Sequence, residues 1–173
     1  LLITILFYIF IYTIWLKRRS VHNIVIGGAA GAFPPMIGWA AVTGNIATES
    51  LILFFIIFLW TPPHFWALAL YQSEDYKKCN IPMMPIIKGD DYTKNQIIFY
   101  TILTITASFL PLFIHMNGLI YGVAALILGA IFLYYAIALK ADKLNSKAPR
   151  MFFFSIFYLF ALFIAMIIDH YLI

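Results

Sequence analysis

The chain has 173 residues, of which 64% are hydrophobic and 10% are charged, and its mean hydropathy is +0.96. Soluble domains average about 45–50% apolar and about 25% charged residues, so this composition excludes a water-soluble globule and favours a protein of the lipid bilayer. The net charge of +4 disfavours nucleic-acid binding through a basic face, and the single cysteine excludes a disulfide framework or a multi-cysteine metal site.

Apolar stretches predict six membrane-spanning helices in one all-α bundle, a single domain over residues 1–173. A helix that crosses the hydrocarbon core needs about 18 or more apolar residues, and these stretches lack the alternating polarity of barrel strands. The chain begins at Leu1 inside the first stretch without a charged leader, so we interpret it as the C-terminal part of a longer protein. The predicted spans lie near residues 1–16, 24–43, 50–70, 96–115, 119–139 and 151–168.

The basic residues predict the orientation of these spans. All eleven Lys and Arg follow the first, third or fifth span, and none lies in the alternate connections, residues 44–49 and 116–118, or in the tail, residues 169–173. Positive charge marks cytoplasmic loops, so we predict that the first, third and fifth connections face the cytoplasm. At the opposite end, Asp169 and His170 are interpreted as interfacial residues without a proposed role.

Broken helices mark the second and third spans. The third span contains the sequence WTPPHFW at residues 60–66, and its two prolines remove backbone donors and predict a kink. Lipid tolerates such a break only where the freed carbonyls find partners, which favours a cavity lining. The second span has three glycines followed by two prolines, at residues 27–35, for which close helix packing is the alternative explanation.

His64 is the main candidate for chemistry, because an ionisable side chain at membrane depth is costly and indicates function by default. If the helix continues past Leu70, Tyr71 and Asp75 lie within about 20° of His64 on the helix surface, in one stripe. That stripe leads from the aromatic region to the membrane surface. The alternative is a core histidine bonded to a backbone carbonyl that the prolines free.

Charged connections offer two further candidate sites. The loop at residues 72–95 carries four acidic residues among four lysines, and carboxylates are ligands that Mg²⁺ accepts together with substrate phosphates. A solvated loop of mixed charge is the ordinary alternative. The basic cluster at residues 17–19 either pairs with phosphates or serves only to set the topology.

Four groups of residues, in this order, resemble the protoheme IX farnesyltransferase family, the heme O synthases among the UbiA-type intramembrane prenyltransferases. They are Tyr12-Thr13 with Leu16-Lys17-Arg18, GAFPPMIGW at 31–39, WTPPHFWAL at 60–68, and Glu74-Asp75-Tyr76 with IPMMP at 81–85. The resemblance implies a nine-helix bundle of which this chain supplies the last six helices, without the first aspartate-rich motif. Tyr71 and Asp75 match the second acidic motif of the wider family. That motif has a further aspartate four residues on, where this chain has Cys79.

The resemblance also implies a reaction. The farnesyl group of farnesyl diphosphate joins a vinyl group of heme b, and added water completes the hydroxyethylfarnesyl side chain of heme O. Departure of the diphosphate builds negative charge, which metal ions and fixed cations stabilise. Asp75 is then expected to hold Mg²⁺, directly or through water, and Lys17 and Arg18 are expected to face the phosphate oxygens.

Aromatic residues and His64 complete the implied site. Trp60, Phe65 and Trp66 are expected to bind the prenyl substrate, shield the allylic cation from water and stabilise it through their ring faces. His64 is expected either to ligate the heme iron or to move a proton during water addition. The implied catalytic residues are His64, Tyr71 and Asp75.

The implied location is the bacterial cytoplasmic (inner) membrane, with a functional link to heme-copper terminal oxidases. Two other classes of function compete with this interpretation. A transporter should show paired broken spans in two halves of the chain, and the last three predicted spans contain no equivalent break. A structural or assembly subunit of an oxidase has no need of a His, Tyr and Asp stripe that leads to an acidic loop.

Overall fold

Helices make up the described structure, as the hydropathy predicts. The computed structural model describes residues 2–16, 19–78 and 82–172. Those ranges contain no strand, so the predicted all-α class is confirmed. In chain order the elements are α1 (Leu2–Leu6), a π-helix (Phe7–Leu16), α2 (Asn23–Ala32), α3 (Pro34–Thr43), α4 (Thr48–Tyr71), α5 (Ser73–Lys78), α6 (Met84–Lys88), α7 (Asp90–Ser108), α8 (Leu110–Phe113), α9 (Leu119–Ala141) and α10 (Ala148–Leu172).

Five helical stretches are long and apolar enough to cross a membrane. They are Asn23–Thr43, Thr48–Tyr71, Asp90–Phe113, Leu119–Ala141 and Ala148–Leu172. Each overlaps one of the predicted spans from the second to the sixth, and the first predicted span corresponds to the shorter apolar helix Thr4–Leu16. The third of the five begins before the predicted residue 96, because its first turn contains Asp90 and Asp91. A hydropathy window rejects these acids, whereas a helix N-terminus favours them.

Helix α4 lies at the centre of the bundle, where it contacts α2, α3, α7 and α10. It is apolar on all sides, as a helix surrounded by other helices should be. Pro62 and Pro63 lie inside α4, which continues through both of them to Tyr71. The second span, by contrast, is divided at Phe33, where Pro34 and Pro35 occupy the first positions of α3.

Asp169 joins the end of α10 to the start of α9, and the interpretation of this residue as merely interfacial is wrong. Its side chain is fully buried. The carboxylate accepts hydrogen bonds from the backbone N–H of Gly118 and, at 3.1 Å, of Tyr121, and from the Asn117 side chain at 3.2 Å. Asp169 therefore caps the N-terminus of α9 from another helix, supplying acceptors for N–H groups that have no partner within α9.

Replacing Asp169 with alanine is expected to lower the free energy of unfolding by about 1–3 kcal/mol, because the substitution leaves buried N–H donors of the α9 terminus without acceptors. Asp169→Asn, which keeps one carbonyl oxygen, should lose less. The measurement is thermal unfolding of the detergent-solubilised protein. The neighbouring His170 is exposed, so His170→Ala serves as the control and should unfold like the parent. An unchanged unfolding midpoint for Asp169→Ala would show that this cap adds no stability.

Candidate functional site

A cavity of about 420 Å³ lies between the π-helix, α2 and α4. Tyr76 of α5 and Met83, which precedes α6, also contribute to its wall. Its lining is mostly apolar and aromatic, and its volume falls in the range of ligand pockets, about 300–1,000 Å³. The residues that line it are Tyr8, Tyr12, Ile24, Gly27, Gly28, Gly31, Ile57, Trp60, Thr61, Phe65, Tyr76 and Met83.

The glycines of α2 shape this cavity in two ways. A Cβ added at Gly27 would overlap the ring of Tyr12, and one added at Gly28 would lie 2.8 Å from Cγ2 of Thr61. These two glycines therefore allow α2 to approach the π-helix and α4 closely. A Cβ at Gly31 would meet no atom within 4 Å, so this glycine faces open space in the cavity wall. The sequence left close helix packing and cavity lining as alternative roles for these glycines, and the structure shows both.

The structure brings two of the three predicted aromatic residues of α4 to the cavity. Trp60 and Phe65 line it, and Phe65 is 41% exposed. Trp66 lies instead on the side of α4 that faces α7, where it is 1% exposed and its ring centre is 5.4 Å from that of Tyr100. The expectation that Trp66 contacts the same substrate as Trp60 therefore has no support from its position.

His64 is buried about one turn after Trp60, on the side of α4 that faces α10, and is not among the residues that line the cavity. Its imidazole stacks between the rings of Trp60 and Phe152, at centre-to-centre distances of 4.3 and 4.6 Å. Its Nδ1 atom lies 2.7 Å from Oγ of Ser155. The partner of this histidine is thus a side-chain hydroxyl of α10, where the sequence alternative expected a backbone carbonyl freed by the prolines.

The predicted stripe from His64 to Asp75 required one helix that continues past Leu70 to Asp75. The structure has two helices there. Helix α4 ends at Tyr71, Gln72 interrupts the helical backbone, and Asp75 belongs to the short helix α5. Tyr71 is 56% exposed, whereas His64 is 8% exposed. The apolar burial that sustains α4 ends at Leu70, so the chain is free to turn before the polar residues of α5.

Asp75 is exposed and forms an ion pair with Lys78 over 3.3 Å. Such a surface pair is weak, typically below about 1 kcal/mol, and yields readily to a stronger cation. Within the described ranges, no three His, Cys, Asp or Glu side chains group closely enough to hold a metal ion. Asp75 therefore offers one carboxylate ligand beside the cavity residue Tyr76, and no complete metal site.

The remaining acids and bases of the predicted site divide into two groups. Asp91 forms an ion pair with Lys140 over 3.0 Å, and Asp90 accepts a hydrogen bond from Asn145, so both acids tie the start of α7 to the end of α9 and the connection that follows. They lie outside the cavity lining. The two cations expected to face phosphate, Lys17 and Arg18, lie outside the described residues.

Sequence reasoning assigned no role to several residues that build the site. Tyr12 and Tyr76 both lie in the residue groups that resemble the farnesyltransferase family, so that resemblance could have identified them. Burial raises the pKa of the Tyr76 phenol above its ordinary value, so this cavity-lining residue is neutral at pH 7. Ser155 left only a faint signal, a small polar residue within the apolar span that follows residue 150.

Together these features define a polytopic helical membrane protein with an aromatic-lined cavity, whose wall includes Tyr76 next to Asp75 in the chain. The model of the UbiA prenyltransferase family matches residues 1–166. The chain therefore belongs to the UbiA prenyltransferase family.

Curated relatives carry a more particular name. The chain is 57% identical over 165 residues to a protein from Rickettsia bellii and 59% identical over 165 residues to one from Rickettsia massiliae, both named protoheme IX farnesyltransferase. Each alignment covers 95% of this chain, but only 55% and 54% of the respective relative. The chain thus spans about half the length of the curated relatives it matches.

A solved structure of a digeranylgeranylglyceryl phosphate synthase has the same fold. It superimposes with a TM-score of 0.85 over 97% of this chain and 59% of that one. Sequence identity is 20%, so this likeness describes the arrangement of the helices and nothing finer. The predicted polytopic helical bundle is confirmed by this match.

Proposed function

We propose that this chain forms part of a protoheme IX farnesyltransferase, which transfers the farnesyl group of farnesyl diphosphate to a vinyl group of heme b and yields heme O. The observation that carries the proposal is the aromatic cavity of about 420 Å³, in a chain 57% identical to a relative of that name. An apolar cavity suits a prenyl chain, and Asp75, which precedes the lining residue Tyr76 in the chain, suits the polar end of the same substrate.

Asp75 would hold the metal ion on the diphosphate. Family members generally bind the diphosphate through a divalent metal, and we assign Mg²⁺ here. Mg²⁺ usually takes one or two protein carboxylates and completes its shell with water and substrate phosphates, so a single exposed carboxylate fits as one ligand. The bound ion would stabilise negative charge on the leaving group. Lys17 and Arg18 would add fixed positive charge to the same phosphates.

The cavity wall would protect the prenyl cation. Trp60 and Phe65 place aromatic rings along the cavity, where ring faces stabilise a passing positive charge. The apolar lining keeps water away from the cation until the carbon–carbon bond has formed. Tyr76 would supply a neutral hydroxyl to the diphosphate end of the substrate. Tyr71, at the exposed end of α4, would belong to the same part of the site.

His64 would act on the heme, either as an iron ligand or as the group that moves a proton when water adds. Its stacked, hydrogen-bonded ring is held in one orientation, as both roles require. The substrates would enter from the cytoplasmic side of a bacterial inner membrane, since the basic connections follow the first, third and fifth predicted spans. The product would serve heme-copper terminal oxidases.

An assay in isolated membranes tests the reaction. We define the chimera as the Rickettsia bellii relative in which this chain replaces the 165 matching residues. Supplied with heme b, farnesyl diphosphate and Mg²⁺, membranes that contain the chimera should form heme O, detected by mass spectrometry. Chelation with EDTA should stop the reaction, and added Mg²⁺ should restore it. No product from the chimera, when the intact relative is active, would contradict the proposal.

Asp75→Asn should lower this activity about 100-fold or more, because the amide keeps the shape of the carboxylate but loses the charge that binds the metal. Glu74→Gln is the matched control, since Glu74 is also exposed and pairs with a neighbouring lysine, Lys77. The control should remain active. Equal activity of both variants would remove Asp75 from the metal site.

A further inference from the structure

We infer that Ser155 is a positioning residue: it holds His64 in the tautomer that carries its proton on Nδ1 and leaves Nε2 as a free acceptor. The catalytic meaning of this inference rests on the proposed function. The tautomer itself is a property of the chain and can be measured whether or not the proposed reaction occurs.

Two short contacts at Ser155 determine where the proton lies. Its Oγ atom lies 2.6 Å from the carbonyl oxygen of Phe152 and 2.7 Å from Nδ1 of His64. Two oxygen atoms at 2.6 Å require a proton between them, and a serine hydroxyl has only one. Because that proton is donated to Phe152, Oγ can only accept from His64, which places a proton on Nδ1.

The other ring nitrogen is then an acceptor. A neutral imidazole carries one proton, so a proton on Nδ1 leaves a lone pair on Nε2. The ring is 8% exposed and stacks between aromatic rings, surroundings that disfavour a second proton and its charge. Within the described part of the chain, Nε2 takes part in no hydrogen bond.

A second hydrogen bond joins the same two helices at Ser155. Nε1 of Trp60 donates to the backbone carbonyl of Ser155 at 2.8 Å, so one residue of α10 receives bonds from two residues of α4. Trp60 lines the cavity on its other side. The pair of bonds therefore connects the cavity wall, the imidazole and α10 in one rigid unit.

This tautomer leaves a lone pair on Nε2, which is the form of imidazole that the proposed chemistry needs. An iron ligand and a general base both use a lone pair on a neutral imidazole, whereas the opposite tautomer would present an N–H at the same place. Ser155 therefore has no need to touch the substrate. Its hydroxyl determines which ring nitrogen of His64, Nδ1 or Nε2, carries the proton.

The test compares Ser155→Ala with Ser155→Thr. Alanine keeps the backbone carbonyl that binds Trp60 and removes only the hydroxyl, whereas threonine restores a hydroxyl. Ser50→Ala is the matched control, because Ser50 is equally buried and donates to a carbonyl of its own chain segment at 2.7 Å, without a histidine partner. The readouts are ¹⁵N chemical shifts of His64 in the full chain and heme O synthesis in the chimera.

We expect the parent and Ser50→Ala to show the Nδ1–H tautomer, Ser155→Ala to lose it, and Ser155→Thr to regain it. Heme O synthesis should fall about 10- to 100-fold in Ser155→Ala, mainly in kcat rather than in KM for farnesyl diphosphate, and recover in Ser155→Thr. If Ser155→Ala does not fold, the spectra of the parent and of Ser155→Thr still decide the tautomer.

Two results would overturn the inference. An Nε2–H tautomer in the parent would show that Ser155 does not set the proton position. Full activity in a Ser155→Ala variant that has lost the Nδ1–H tautomer would show that the proton position does not matter for function. A chimera without any heme O synthesis would instead refute the proposed function, whereas the parent spectrum would still decide the tautomer.

Discussion

Replacing His64 with alanine is expected to reduce heme O synthesis in the chimera about 100-fold or more, with little effect on membrane insertion. Proton transfer by a positioned side chain contributes roughly 10²–10⁴-fold to a rate, and loss of an iron ligand would misplace the second substrate. The imidazole lies between Trp60 and Phe152 rather than at a surface, so its removal also loosens the cavity wall. Heme O per unit of inserted protein is the quantity to measure.

A matched histidine separates the chemistry from general effects of substitution. His170 is exposed and lines a surface pocket with Glu49, at the end of α4 opposite to Tyr71. His170→Ala should therefore keep parental activity. If His64→Ala is as active as His170→Ala, His64 is a structural core residue without a part in the reaction.

Filling the cavity at Gly31 should abolish activity without destabilising the protein. An added Cβ at this position meets no atom within 4 Å, so the ring in Gly31→Phe can enter the cavity of about 420 Å³ and displace substrate. Misplacement of a reacting group by about 1 Å already costs about 100-fold in rate, and we expect at least that loss. The assay is heme O synthesis at saturating farnesyl diphosphate, together with thermal unfolding.

Gly38→Phe is the control for this substitution. Gly38 also has open space where a Cβ would stand, but it lies on α3 and does not line the cavity. Its activity should match the parent. Parental activity in Gly31→Phe would mean that the prenyl substrate does not occupy this cavity, and the site would have to lie elsewhere in the bundle.

The sequence predicts the helices well because the bilayer imposes their length and polarity. The second to sixth predicted spans each overlap a helical stretch of membrane length, and the second span is divided at Phe33, where Pro34 and Pro35 occupy the first positions of α3. Trp60 and Phe65 line a cavity, as the sequence predicted, although α4 continues through the two prolines on which that prediction was based.

Contacts between distant residues escape such local patterns. Ser155 and His64 are 91 positions apart, and Asp169 binds backbone groups about fifty positions earlier. Neither pairing has a periodicity that a single helix reveals. The stripe from His64 to Asp75 was wrong for a related reason, because helical geometry alone does not show that α4 ends where its apolar burial ends.

The pigment content of living cells shows whether this chain supports heme O synthesis. A bacterial host that lacks its own heme O synthase would express this chain, the chimera or the intact Rickettsia bellii relative, and its membrane hemes would be separated and weighed by mass spectrometry. We predict heme O with the chimera and with the relative. Inserted chimera without heme O, alongside a relative that makes it, would contradict the assignment of this chain to heme O synthesis.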